Sequence, residues 1–300
     1  MPKICYRPKK FSGDRAEKIA KANAIIEEYR AQGFELTLRQ LYYQFVSRDL
    51  IANNQREYKN LGDIINDARL AGLVDWEAIV DRTRNLQALP NWSSPSDIIS
   101  ACANQYRIDK WERQQFRVEC WIEKDALVGV IEGVCNELDI DYFSCRGYTS
   151  QSEMWAAAMR LRNYKKHAQI PIILHLGDHD PSGIDMSRDI EARLSEFSGD
   201  PIEVRRLALN IDQVREYNPP PNPAKITDSR SDRYIEQHGS ESWELDALEP
   251  AVIAALIRDA VSELRDDKLW KESVASETKQ KEQLASVSKQ WDAVVKSVSK

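Results

Sequence analysis

The apolar run Ile170-Pro171-Ile172-Ile173-Leu174 passes directly into His175-Leu176-Gly177-Asp178-His179-Asp180-Pro181-Ser182-Gly183, and this junction restricts the folds open to the chain. A run without alternation suits a strand covered on both faces, as in a parallel sheet, and a helical pattern follows it. The two aspartates therefore lie at a strand's carboxyl end. Asp178 and Asp180 are two apart, so both carboxylates can lean over one point while Pro181 and Gly183 turn the backbone. Hard oxygen ligands with room for water and phosphate suit Mg²⁺, which takes few carboxylates from the protein, with Mn²⁺ as a substitute. An Asp-x-Asp turn can equally cap the next helix.

A second acidic position lies upstream. Phe116-Arg117-Val118-Glu119-Cys120-Trp121-Ile122 has the pattern of a strand, and Glu123-Lys124-Asp125-Ala126-Leu127 ends it and opens a helix through about Leu138. If the two strands are neighbours in one parallel sheet, Glu123, Asp178 and Asp180 converge at its carboxyl edge, where open α/β sheets hold their ligands. Asp125 and Asp185 are further candidates for that shell, or local helix caps. His175 and His179 flank the acidic turn, and packed or solvent-facing roles fit them better than support of a metal.

The N-terminal part is helical in pattern. A helix is expected from Asp14 to about Ala31, ended by Gly33. Thr37 is a natural cap for Leu38-Arg39-Gln40-Leu41-Tyr42-Tyr43-Gln44-Phe45-Val46. At about 100° per residue, Leu38, Leu41, Tyr42 and Phe45 share the core stripe, whereas Tyr43 falls off it, one turn from Arg39. The expectation is a packed Tyr42 and an exposed Tyr43 beside an arginine. Asn53 to Leu73 repeats apolar residues at helical spacing, so two helices joined by a short turn suggest a helix-turn-helix. Trp76 to Arg84 would supply a short strand and a basic wing, with Arg82 and Arg84 on DNA phosphates. A small helical lid would show the same periodicity.

Charge gives a modest constraint. Lys and Arg number 42 against 48 Asp and Glu, for a net −6; the first 120 residues have a slight basic excess and the remainder an acidic one. An acidic back half fits carboxylates gathered around metal, through which phosphate can still bind. Met1 to Lys10 lacks a signal-like apolar core, no long uncharged apolar stretch occurs, and the five cysteines form no C-x-x-C pair. A cytoplasmic protein with reduced thiols and no membrane association is expected. The absence of G-x-x-x-x-G-K-[ST] leaves no P-loop ATPase in the chain.

Strand-E-K-x-A-L followed by a strand ending in D-x-D-P-x-G resembles the Toprim domain of topoisomerases, primases and some nucleases. Thr37-Leu38-Arg39-Gln40-Leu41-Tyr42-Tyr43 ahead of it, and Trp243-Glu244-Leu245-Asp246-Ala247-Leu248 after it, resemble the A subunit of topoisomerase VI and related meiotic recombination enzymes. Gln40 stands where that family often has Asp, and the chain is short for a topoisomerase A subunit.

The resemblance implies an α/β protein in which a CAP-type winged helix (1–95) precedes a Toprim, Rossmann-like parallel-sheet domain (110–265), with a C-terminal helical segment (266–300). It implies Mg²⁺ on Glu123, Asp178 and Asp180, Tyr43 as nucleophile aided by Arg39, and Glu123 in acid/base chemistry. Lys124 joins Arg82 and Arg84 as a DNA contact. The implied activity is DNA cleavage by transesterification, as in a minimal type IIB topoisomerase. One chain has one Tyr43, so cutting both strands calls for a homodimer, Tyr43 of one chain serving the metal cluster of the other. A separate GHKL-type ATPase subunit is compatible with this reading. The alternative keeps the Toprim metal site and makes water the nucleophile of a nuclease.

Between these landmarks, Asn85 to Ala103 has the composition of an interdomain linker, and residues 218–233 that of an irregular loop. Gln151 to Lys166 is expected as helix and Ile202 to Leu209 as strand. Helical pattern resumes at Ala251, and Leu284, Val287, Trp291, Val294 and Val298 form a stripe suited to core or dimer contact.

Overall fold

The computed structural model describes residues 3–80, 89–223 and 230–298. Helices α1 (Gly13–Ala31), α2 (Leu38–Ser47) and α3 (Gln55–Leu70) pack around Ile19, Ile25, Tyr29, Leu41, Phe45, Leu61 and Ile65. Thr37 caps α2 through the Gln40 N–H, and the Gln40 side chain accepts the Thr37 N–H at 2.8 Å, closing a capping box. Gln40 thereby has a structural task at the start of α2. Asn54 caps α3 through the Glu57 N–H at 3.0 Å.

Two expectations fail beyond α3. Residues 76–80 form no strand, only a single bridge between Leu36 and Ile79, so no wing is built from them. Arg82 and Arg84 lie outside the described residues. The expected linker contains helix α4 (Pro95–Gln105): Ser94 accepts the Asp97 N–H and Pro95 fills the first turn, so the Ser and Pro that suggested a linker start a helix.

The sheet follows as β1 (Phe116–Ile122), a 3-10 turn (Asp125–Leu127), α5 (Val128–Leu138), β2 (Asp141–Ser144), α6 (Gln151–Lys166), β3 (Ile170–Leu176), α7 (Pro181–Ser198) and β4 (Glu203–Ala208). All four strands are parallel, in the order β2-β1-β3-β4. The two strands expected to be neighbours are β1 and β3, in register from Phe116 opposite Ile170 to Ile122 opposite Leu176. Alternation sorts them between two cores: Val118, Cys120, Ile122, Ile172, Leu174 and Leu176 face one, and Trp121 and Ile173 the other, with α6 and α7 residues. The chain leaves β1 toward β2 and then crosses to β3 on the opposite side. The gap between the carboxyl ends of β1 and β3 is therefore the switch point of the sheet.

Then come α8 (Ile211–Tyr217), β5 (Asn222–Pro223), α9 (Ser231–His238), β6 (Glu241–Ser242), a second 3-10 turn (Leu245–Ala247), α10 (Pro250–Ser262), α11 (Asp267–Lys289) and α12 (Trp291–Val298). The stretch expected to be irregular thus includes a two-residue strand, antiparallel to β6, and the start of α9. Helix α11 packs along α4, with Ser96 and Ser288 exchanging hydroxyl-to-carbonyl bonds of 3.1 and 3.0 Å. The stripe from Leu284 to Val298 spans α11 and α12 and contributes no buried residue. No helix among the described residues is long and apolar enough to cross a membrane.

Candidate active site at the carboxyl edge of the sheet

Backbone bonds set the frame. The Glu123 N–H donates to Leu176 O at 2.8 Å, joining the ends of β1 and β3. His179 and Trp243 exchange two backbone bonds of 2.8 and 2.9 Å, which bring Glu244 and Asp246 to the acidic turn. Arg206 clamps the turn from below. Its buried guanidinium donates to the carbonyls of Asp178 at 2.6 Å, Gly183 at 2.8 Å, Gly177 at 3.1 Å and Leu209 at 3.2 Å, and to Ser187 Oγ at 2.9 Å.

Glycine is required where the turn closes on Glu123. A Cβ at Gly183 would stand 2.3 Å from Asp178 O and 3.1 Å from Glu123 Oε2, and one at Gly177 would stand 2.8 Å from the same carboxylate oxygen.

Each predicted acidic residue is at this edge with a partner. Glu123 Oε2 accepts the Asp178 N–H at 3.0 Å, and Asp178 Oδ1 accepts the Leu245 N–H at 2.8 Å. Asp180 caps α7, its Oδ1 accepting from the Gly183 N–H at 2.6 Å and from Ser182 Oγ at 2.8 Å. Asp125 pairs with Arg146, and Asp185 with Tyr148 and Arg188; neither carboxylate is bonded into the cluster. His175 and His179 are buried, and burial lowers their pKa values to about 3 and about 4, so both are neutral packing groups.

Lys124, expected on DNA, turns inward. Its ammonium lies 2.9 Å from Asp178 Oδ2 and 3.3 Å from Asp246 Oδ2, and contacts Glu244. Arg39 reaches the same carboxylates from α2, bonding Asp246 Oδ2 at 2.5 Å and contacting Glu244. Those two cations hold Glu244 at about 2 despite its burial. Asp178 behaves oppositely: burial pushes it up to about 7 and Glu123 adds to the rise, together outweighing the neighbouring Lys124. Glu123 is raised by burial and by Asp180.

Five carboxylates, Glu123, Asp178, Asp180, Glu244 and Asp246, thus meet Arg39, Lys124 and Arg206. With all five ionised the shortfall would equal the charge of one divalent cation, and all the side-chain donors are hard oxygens of the kind Mg²⁺ prefers. The acidic edge fits such an ion in chemistry and charge. Among the described residues the side chains as placed form no closed set of three ligands.

The tyrosines depart from the helix-face expectation. Tyr42 and Tyr43 are equally buried, at 5% exposure each, because α3 and the 3-10 turn Leu245–Ala247 pack against α2, with Ala247 in the same core as both tyrosines. The hydroxyls nevertheless differ. Tyr42 Oη donates to Asn53 Oδ1 at 3.0 Å and lies 3.2 Å from Asn54 O, whereas among the described residues the Tyr43 hydroxyl makes no hydrogen bond. Tyr43 stacks near Arg39, whose guanidinium carbon is 5.7 Å from the ring centre. Both tyrosines line a cleft of about 440 Å³ together with Arg39, Tyr58, Asp180, Trp243 and Glu244. Burial and Glu244 push the Tyr43 phenol up to about 12, against the pull of Arg39 and Lys124.

Sequence reasoning missed Arg206 and the part played by Glu244 and Asp246. Two charged residues flanking Leu245 after a tryptophan were visible as a motif; their ion pairs with residues far away in the chain were not. Compared with models of known protein families and with curated proteins, the chain matches none.

Proposed function

We propose that this protein cleaves DNA by transesterification through Tyr43, at a Toprim-like acidic edge that uses Mg²⁺, in the manner of a minimal type IIB topoisomerase. The observation that carries this reading is the Tyr43 hydroxyl, without a hydrogen bond among the described residues and in one cleft with Asp180, while the adjacent Tyr42 hydroxyl is tied to Asn53. The Tyr43 oxygen forms a bond to phosphorus, the bridging P–O bond breaks, the phenol proton is lost and the departing sugar oxygen gains one. Arg39, next to the Tyr43 ring, steadies the negative charge that grows on phenol and phosphate. Glu123, Asp178 and Asp180 would hold the cation, which supplies Lewis-acid polarisation of the phosphate when bound. Arg206 keeps their turn in place.

The α1–α3 helices serve in this reading as the DNA-binding part, in the place of a winged helix. Tyr43 and Asp180 of one chain share a cleft, which supports attack within one chain, while a break in both strands still takes two chains and hence a homodimer. A separate ATPase subunit is compatible with this reading.

A second reading is favoured by the burial of Tyr43, which together with Glu244 pushes its phenol up to about 12: water attacks instead, and the protein is a metal-dependent nuclease. Plasmid incubated with protein and Mg²⁺, then run under denaturing conditions with and without protease, separates the two. Transesterification leaves DNA ends that carry protein until digested. Tyr43→Phe should abolish that adduct, and Tyr42→Phe should keep it while lowering stability by about 1 kcal/mol, the scale of one hydrogen bond. Cleavage by Tyr43→Phe at the wild-type rate would transfer the assignment to the nuclease.

A further inference from the structure

Asp178 has two carboxylate oxygens and the fold already commits one of them: Oδ1 accepts the Leu245 N–H at 2.8 Å. That bond holds the carboxylate's orientation and uses one acceptor site of Oδ1, which leaves Oδ2 as the oxygen that no backbone group occupies. That oxygen is occupied from within the chain, because Lys124 Nζ lies 2.9 Å from it. The lysine stem is largely buried, with 17% of the side chain exposed. An ammonium and a divalent ion cannot share one oxygen without strong repulsion, since Mg²⁺ approaches its ligand oxygens to about 2.1 Å and demands near-octahedral room.

Lys124 also has somewhere to go. It contacts Glu244 and lies 3.3 Å from Asp246 Oδ2, so leaving Asp178 does not strand a buried positive charge. Glu244 and Asp246 thereby acquire a task that motif matching does not reveal: they receive the lysine. Arg39 shares both carboxylates, so the exchange takes place within the ion network that reaches the Tyr43 helix.

We propose that Lys124 is the resident counter-ion of the acidic edge and that a divalent cation binds by displacing its ammonium from Asp178 Oδ2 onto Glu244 and Asp246. Metal loading is then an exchange of one cation for another. The proposal rests on the metal reading given above, and its test is chosen to fail separately from it. Mg²⁺ and Mn²⁺ are titrated calorimetrically into the intact wild-type protein and into Lys124→Met, and amine-specific labelling of Lys124 in the wild type is followed by mass spectrometry at fixed pH, with and without saturating metal.

Exchange predicts that Lys124→Met binds the ions about tenfold more tightly or better, because the competitor is gone. It also predicts that labelling of wild-type Lys124 becomes several times faster once metal is bound. Wild-type protein that binds metal with no change in Lys124 labelling overturns the exchange and leaves the metal site standing, as does weaker binding by a folded Lys124→Met. Failure of both proteins to bind either ion overturns the metal reading and the exchange with it. The labelling arm uses unmodified protein, so it decides the matter even if Lys124→Met does not fold.

Discussion

Strand β1 carries two glutamates, Glu119 within it and Glu123 just past its end, and the fold treats them in opposite ways. Glu119 is 1% exposed and fully answered: Arg160 donates to both of its oxygens at 2.8 Å, and the Trp121 indole N–H donates at 3.0 Å. Glu123, four residues on, faces Asp178 and Asp180 in a group where carboxylates outnumber cations. A buried carboxylate with a matched fork of donors is structural, since removing its partner leaves an uncompensated charge and gains nothing. A group in which carboxylates outnumber cations is instead what the proposed metal site calls for. The contrast separates scaffold from site within one strand.

The largest expected effect is on the acidic edge. Asp178→Asn should reduce Mg²⁺-dependent cleavage by roughly a hundredfold or more, the scale of losing one charged contact at a reacting centre, while far-ultraviolet circular dichroism stays that of the folded chain. Near-normal cleavage would erase the distinction between the two glutamate environments, because the edge would then be as structural as Glu119.

Next comes the scaffold pair. Arg160→Ala should destabilise the fold by about 3 kcal/mol, the low end for breaking a buried pair, because Arg160 is 41% exposed and water can partly take its place. Its denaturant midpoint should drop while Mg²⁺ affinity, measured on the folded protein, stays unchanged. A loss of metal affinity without loss of stability would reverse the assignment of the two regions.

The smallest effect is a slope. Asp178, raised to about 7 in the fold from 3.8, binds more protons folded than unfolded between those values, so its contribution to stability declines as pH rises through that window. Glu244, lowered to about 2 from 4.5, contributes stability above its unfolded value that is lost as pH falls toward 2. The buried neutral His175 and His179 work the other way between about pH 5 and 6.5, so the Asp178 slope is read by difference: from about pH 5 to about pH 8 the metal-free wild type should lose melting temperature relative to Asp178→Asn, and saturating Mg²⁺ should flatten that relative slope by favouring ionised Asp178. A wild-type melting point that does not fall relative to Asp178→Asn over that range would contradict the raised Asp178.

Much of this was legible in the chain. The unbroken apolar run to Leu174 and the mixed run to Ile122 announced the two central strands, and the residues that end them placed Glu123, Asp178 and Asp180 at one edge. Thr37 announced the start of α2. Ser94 and Pro95 are equally local, yet they suit a linker as well as a helix start, because the residues that begin a helix are also the residues of loops. Helical periodicity placed Tyr43 on an open face, and that failed because periodicity describes one helix by itself. The α3 helix and the Leu245–Ala247 turn, which pack against α2, are what only the assembled fold supplies.

The sequence by itself determined the parallel α/β frame and the carboxylates at its edge, because strand pattern and turn chemistry act over a few residues. Tertiary structure alone decided how those carboxylates are answered: Lys124 meets Glu244 across 120 positions and Arg39 meets it across 205, so no local pattern encodes either contact. Backbone conformation responds to neighbours along the chain, whereas a buried ion pair forms only where desolvation and Coulomb attraction balance in the assembled fold.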